Sequence, residues 1–231
     1  MSDNPVLRQT NSRRAANFDA IARPYRWLEY ITFGRLLERV RFAHISRITD
    51  RNRALVLGDG DGRFLARLAV QNQGLYFEAV DSSARMLALL QSRICKVGAR
   101  NRGTFTQADV NDEGFHPCGR EFDLVVTHFF FDCFTDREVE TIVDLIIPRL
   151  AHESIWIVSE FDVPSTGPRT CARILIRLLY TSFGLLTGLA VRSLPDHRRI
   201  LQSRGFRLEK RTMDLRGILV SELWRREKQQ L

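Results

Sequence analysis

The sequence predicts an α/β protein: a doubly wound, mostly parallel seven-stranded sheet with an antiparallel last strand, an N-terminal helical cap, and a helical lid inserted after the fifth strand. Three observations predict it. Ala54-Leu-Val-Leu57 is a short apolar run that breaks into three glycines spaced two apart, Gly58, Gly60 and Gly62, before apolar residues resume at helical period from Phe64. Strand-like and helix-like segments then alternate strictly as far as Ser159. After an apolar helical stretch, two further strand-like runs flank a turn at Arg216-Gly217.

In order along the chain, residues 1–13 are polar and lack periodicity, as in a loose tail. Residues 14–50 carry apolar side chains at helical spacing (Phe18, Ile21, Tyr25 and Leu28, then Phe33, Leu36, Leu37, Val40, Ile45 and Ile48), which predicts two helices parted near residues 32–34. Residues 51–162 form the sheet core. Its strands are expected at residues 54–57, 75–81, 103–107, 122–127 and 154–159, with helices over residues 64–71, from Ser82-Ser83 onward, and over 136–150. Residues 163–195 make the lid, helical over 169–191, and residues 196–231 supply a short helix, opened by Asp196 and ending at Gly205, and the strand pair. A chain of 231 residues with 44% apolar and 27% charged content suits a single domain with a sizeable core.

The formal charge of +8 comes almost wholly from arginine. It could serve nucleic acid, an anionic membrane or an acidic substrate. The arginines are spread along the chain with acids between them, which favours a solvated basic surface. Cys95, Cys118, Cys133 and Cys171 have neither C-x-x-C nor zinc-ligand spacing, so reduced thiols in a cytoplasmic protein and no metal are expected. The first seventeen residues lack the apolar core of a signal peptide.

Glycines at Gly58, Gly60 and Gly62 let the backbone turn tightly and approach a ligand, although such turns also occur where nothing binds. Three positions after Gly60 stands Arg63, so the loop is G-x-G-x-G and not the G-x-G-x-x-G of dinucleotide sites. Asp59 and Asp61 within it would repel a pyrophosphate but tolerate ammonium and sulfonium charge, which points from NAD to S-adenosylmethionine. Asp81 ends the second strand, roughly twenty residues beyond Gly58, where a carboxylate can grip a ribose diol.

Leu57-Gly-Asp-Gly-Asp-Gly62, Val80-Asp-Ser-Ser-Ala-Arg-Met86, Gln107-Ala-Asp109 and Phe122-Asp-Leu-Val-Val-Thr127 together resemble the class I, Rossmann-like S-adenosylmethionine-dependent methyltransferases, closest to their small-molecule and quinone-type members. The resemblance runs from about Phe18 to Trp224. It implies that the three glycines and Asp59 border the amino-acid end of the cofactor, and that Asp81, with Ser82 and Met86 beside it, holds the ribose. It further implies that Ala108 and Asp109 flank the adenine, that Thr127 and His128 border the reacting methyl, and that Tyr25 approaches the cofactor carboxylate. The chain departs from the family at Val56, where many members carry an acid.

His128 and Asp132 are four apart, so on a helical turn they would share a face, and His128 could take a proton from a hydroxyl or simply line the pocket. Where nucleic-acid and protein amide methylases carry Asn-Pro-Pro-Tyr, this chain has His128-Phe-Phe-Phe131, which favours an apolar or aromatic small substrate. The apolar stretch over residues 174–191 fits either a buried substrate lid or a peripheral membrane contact. The expected activity is therefore methylation of a small molecule at oxygen, nitrogen or carbon. Salt-sensitive RNA methylation, or cofactor binding without transfer, are the alternatives.

Overall fold

The computed structural model describes residues 36–112, 114–162 and 194–226. Seven strands form one sheet in the order β3-β2-β1-β4-β5-β7-β6. They are β1 (Arg53–Leu57), β2 (Tyr76–Asp81), β3 (Gly103–Gln107), β4 (Phe122–His128), β5 (Leu150–Phe161), β6 (Phe206–Asp214) and β7 (Leu219–Arg226). β1 pairs in parallel with β2 and β4, and β4 with β5, whereas β7 runs antiparallel between β5 and β6. The expected sheet, with its antiparallel last strand, is the one observed.

Helices α1 (Leu36–Phe42), α2 (Arg63–Gln71) and α3 (Ala84–Lys96) cover one face, and α4 (Asp136–Ile146) and α5 (His197–Ser203) the other. The strands are apolar on both faces because both are covered. Ala54, Val56, Leu124, Val126, Ile155 and Ile157 meet Phe64, Leu68, Leu90 and Ile94 in one core. Leu55, Leu57, Val125, Trp156, Val158 and Trp224 meet Val139, Ile142, Ile146 and Ile200 in the other.

Three boundaries differ from expectation. The helix of the N-terminal cap that lies within the described residues stops at Phe42 and yields to a 3-10 turn at Ile45–Arg47. The helix expected to reach residue 150 ends at Ile146, because Pro148 has no N–H to continue it and a 3-10 turn at Ile147–Arg149 follows. β5 is twelve residues long, extended past both predicted ends by pairing with β4 and β7. Helix starts follow their caps: Ser83 accepts the Met86 amide, Thr135 and Glu138 close a capping box, and Asp196 accepts the Arg199 amide at 3.1 Å. The first cap helix, Tyr25, Cys171 and the lid over residues 163–193 lie outside the described residues.

Candidate functional site

The carboxyl ends of β1, β2, β3, β4 and β5 meet at one edge of the sheet, where open α/β folds bind ligands. The glycine loop leaves β1 with Gly58 donating to Val80 O at 2.9 Å, and Ala108 donates to Asp81 O at 3.2 Å. These two bonds tie the β1, β2 and β3 exits together, bringing the glycine loop, Asp81, Ala108 and Asp109 to the same edge.

All three glycines have positive φ, +64° at Gly58, +61° at Gly60 and +78° at Gly62. Their reasons differ. A Cβ on Gly58 would stand 2.6 Å from the Phe130 ring, and one on Gly62 would stand 2.8 Å from the Leu90 Cα. Protein packing therefore demands both. A Cβ on Gly60 would meet no atom of the described residues within 4 Å, so of the three glycines Gly60 alone faces space open among them, as a cradle for a ligand does.

The loop acids do not present the free charge expected of them. Asp61 accepts from Arg63 Nε at 2.9 Å and from Arg93 at 2.8 Å, while Arg93 Nε also donates to the Asp61 carbonyl. Asp59 turns inward. The N-cap of α2 is Gly62, which has no side chain, and Asp59 Oδ2 accepts the Leu65 amide at 2.9 Å in its place. Burial pushes the Asp59 carboxyl up to about 7, and its Oδ1 is buried without a hydrogen-bond partner. Val56 is 1% exposed within the α2-side core.

Asp81 is half-buried and accepts the Ser83 amide at 2.9 Å. Ser82 is exposed, and its carbonyl accepts from Gln107. Met86 is buried in the first turn of α3. Asp109 is half-buried and folds over to accept the Asn111 amide at 2.9 Å. Thr127 does not border a cavity: its side chain is fully buried, and its hydroxyl donates to Ile157 O and accepts from Trp156 Nε1 at 3.0 Å. The alternation of β4 turns it into the α4-side core.

His128 and Asp132 do not share a helical turn. His128 is the last residue of β4, Phe129 takes φ +53°, and only Phe131–Cys133 forms a 3-10 turn. The His128 ring lies edge-on against Phe64 with centroids 4.4 Å apart, and Nδ1 shares a 2.9 Å hydrogen bond with Ser159 Oγ. Ser159 in turn bonds Ser221 Oγ at 2.9 Å, and the Ser221 carbonyl pairs with His44 Nε2 at 3.0 Å. Burial, with the nearby charges of Arg41 and His44, holds His128 well below the ordinary histidine range, so it is neutral at pH 7, and its Nε2 has no partner.

Asp132 belongs to a different group. It keeps part of its surface exposed, accepts the Cys133 thiol, and is raised to about 6 by burial. Beside it stands Glu160, at the end of β5, which sequence reasoning did not single out. Glu160 is 2% exposed, and its Oε1 accepts the Phe130 and Phe131 amides at 3.1 and 2.8 Å. A lone glutamate near the end of a strand reads as an edge residue, so no local signal marked it. Of the phenylalanines, Phe131 is core, tilted against Trp156 and stacked on His197, while Phe129, Phe130 and Phe134 are half-buried.

With that geometry in place, the comparisons with known proteins are informative. Residues 54–152 match the family described as a methyltransferase domain. Those residues carry a methyltransferase domain, and one solved structure of the same fold is an S-adenosylmethionine-dependent methyltransferase, with a TM-score of 0.63 at 16% identity over 88% of this chain and 57% of that one. Mitomycin 7-O-methyltransferase superposes with a TM-score of 0.61 at 15% identity, over 87% of this chain and 60% of that one. A pyocyanin biosynthetic protein superposes with a TM-score of 0.63 at 15% identity, over 90% and 61%. The N-methyltransferase NodS from Bradyrhizobium japonicum gives 0.57 at 12% identity, over 83% and 97%. The chain thus spans about three fifths of the length of the first three. No curated protein matches in sequence.

The residues present fit that cofactor. Gly60 leaves room for close backbone approach, and Asp81 and Asp109 stand at the exits of β2 and β3. No described helix is long and apolar enough to cross a membrane.

Proposed function

We propose that the chain transfers a methyl group from S-adenosylmethionine to a small, apolar or aromatic molecule at oxygen, nitrogen or carbon. The open space over Gly60, at the edge that also carries Asp81 and Asp109, is the observation that supports this most directly. In this reading the glycine loop passes beneath the methionine end, and Asp81 with the neighbouring Ser82 receives the ribose hydroxyls. Ala108 and Asp109 flank the adenine; Tyr25, expected at the carboxylate, lies outside the described residues. Asp59 and Met86 act from within, the first by capping α2 and the second by packing the start of α3. Thr127 is set aside, because its hydroxyl is committed to the core.

Half-buried Phe129, Phe130 and Phe134 favour a planar or apolar acceptor over a nucleic acid. Alignment of acceptor and methyl, with water excluded by these rings, supplies much of the rate. His128 lines the floor as a neutral imidazole, and Asp132 is a titratable group in the turn just beyond β4. The free thiols of Cys95, Cys118 and Cys133 fit a reducing, cytoplasmic setting.

Titration calorimetry with S-adenosylmethionine and S-adenosylhomocysteine tests the proposal. Saturable binding of both is expected, and folded protein that binds neither overturns it.

A further inference from the structure

A cationic cofactor needs an anionic counterpart, and the acids nearest in sequence do not supply it. Val56, two residues before the first glycine, is a core side chain. Asp61 is neutralised by two arginines, and Asp59 is turned into the α2 cap. Beyond the strand ends, Asp162 is paired with Arg198 and Arg211. The Asp109 carboxylate is folded onto Asn111, and Asp81 is claimed by the ribose in the reading above.

Among the described residues at this edge, what remains is Glu160 with Asp132. The turn after β4 is wrapped around Glu160, whose Oε1 takes the amides of Phe130 and Phe131, with the Asp132 amide adding a third. This turn carries the Phe130 ring that fills the place of a Cβ on Gly58, so the carboxyl pair and the glycine loop are neighbours through one residue. Glu160 Oε2 is buried and has no hydrogen-bond partner among the described residues. An orphaned carboxylate oxygen in a folded core is expensive unless something else completes it.

Resting on the proposed function, we propose that Glu160 and Asp132 together form the anionic face that receives the cationic methionine end of S-adenosylmethionine, and that the pair surrenders a proton as that cation arrives. Two carboxyl groups in one buried space cannot both ionise cheaply, so they hold a proton between them until a positive charge replaces it. Burial acts in this direction on both members, and the charge of Asp132 acts further on Glu160. The other charged groups around them are accounted for. From the same turn Cys133 donates its thiol to Asp132, and burial and the acids Asp132, Glu160 and Asp81 keep that thiol protonated. From α1, Arg41 acts favourably on Asp132. On β7, Glu222 is held by His197, Arg198 and Arg211 and contributes no free charge.

The test is calorimetric titration of the whole protein with S-adenosylmethionine at pH 7, in buffers of different ionisation enthalpy. Net release of a substantial fraction of one proton per cofactor bound is expected. Glu160→Gln, which keeps an oxygen for the turn amides, should lose that release and bind about tenfold more weakly, as for one lost charge-assisted contact. Asp132→Asn should halve or abolish the release. Release with S-adenosylhomocysteine as well assigns the effect to the ammonium, and release with S-adenosylmethionine alone assigns it to the sulfonium. Binding by the unmodified protein without proton release overturns the inference while leaving the cofactor in place. No binding at all overturns both.

Discussion

Arg93 reaches from α3 to grip Asp61 twice, its Nε donating to the carbonyl at 2.9 Å and its terminal nitrogen to the carboxylate at 2.8 Å. Arg63 completes the clamp and carries on to Glu38 of α1 at 2.7 Å. The glycine loop is thus held from two helices. Arg93→Ala leaves the buried Asp61 carboxylate with one partner fewer. It should lower unfolding free energy by about 2 kcal/mol and weaken cofactor binding through loosening of the loop. Urea denaturation alongside calorimetry measures both, and unchanged values for each would refute the clamp.

The glycines separate packing from binding. Gly62→Ala drives a methyl into the Leu90 backbone in a left-handed conformation, and should cost about 3 kcal/mol or more of stability. Gly60→Ala meets no atom, so only the backbone penalty of about 1 kcal/mol applies, yet cofactor affinity should fall sharply. A thermal-melt comparison with binding data decides this. Equal stability losses would contradict the assignment.

Asp59 gives stability a pH slope of definite sign. In the unfolded chain it ionises near 3.8, and in the folded chain at about 7. Between those values the folded state keeps the proton, so stability falls as pH rises through that window, by roughly 1.4 kcal/mol per unit. Asp59→Asn should flatten part of the slope, with Asp132 and Glu160 supplying the rest. Denaturation at pH 5 and pH 8 checks it, and a variant as steep as the parent would exclude Asp59 as a source.

His128 and His44 act in the opposite direction. Both are held below 6.5 first by burial, so the unfolded chain binds protons that the folded chain refuses, and stability is lost as pH falls below that value. His128→Gln should soften the acid-side loss at pH 5 and leave cofactor affinity near that of the parent. A large loss of affinity would return His128 to direct contact with the ligand.

Glu222 is fully buried yet satisfied by Trp224 Nε1 at 3.1 Å, His197 Nε2 at 3.0 Å and Arg198 Nε at 2.7 Å. Removing it strands those donors, and Glu222→Ala should cost about 3 kcal/mol or more. Glu222→Gln should cost less. Denaturant midpoints for the two variants provide the comparison.

The order of strands and helices, the caps at Ser83 and Asp196, and the positions of the glycine loop, Asp81 and Asp109 were legible in the sequence. Each depends on period, spacing or a local hydrogen bond within a few residues. The roles of the charges were not legible, because a carboxylate's meaning depends on who faces it across the sheet. Asp61 looked free until Arg93 arrived from 32 residues away. Asp59 looked ligand-facing until helix α2 claimed it. His128 and Asp132 looked like partners because helical spacing was assumed across a turn that Phe129 breaks. Glu160 carried no local signal at all. Its place beside Asp132 follows from β5 lying next to β4, a pairing that only the folded sheet brings about, and burial there turns an ordinary glutamate into a proton-holding one.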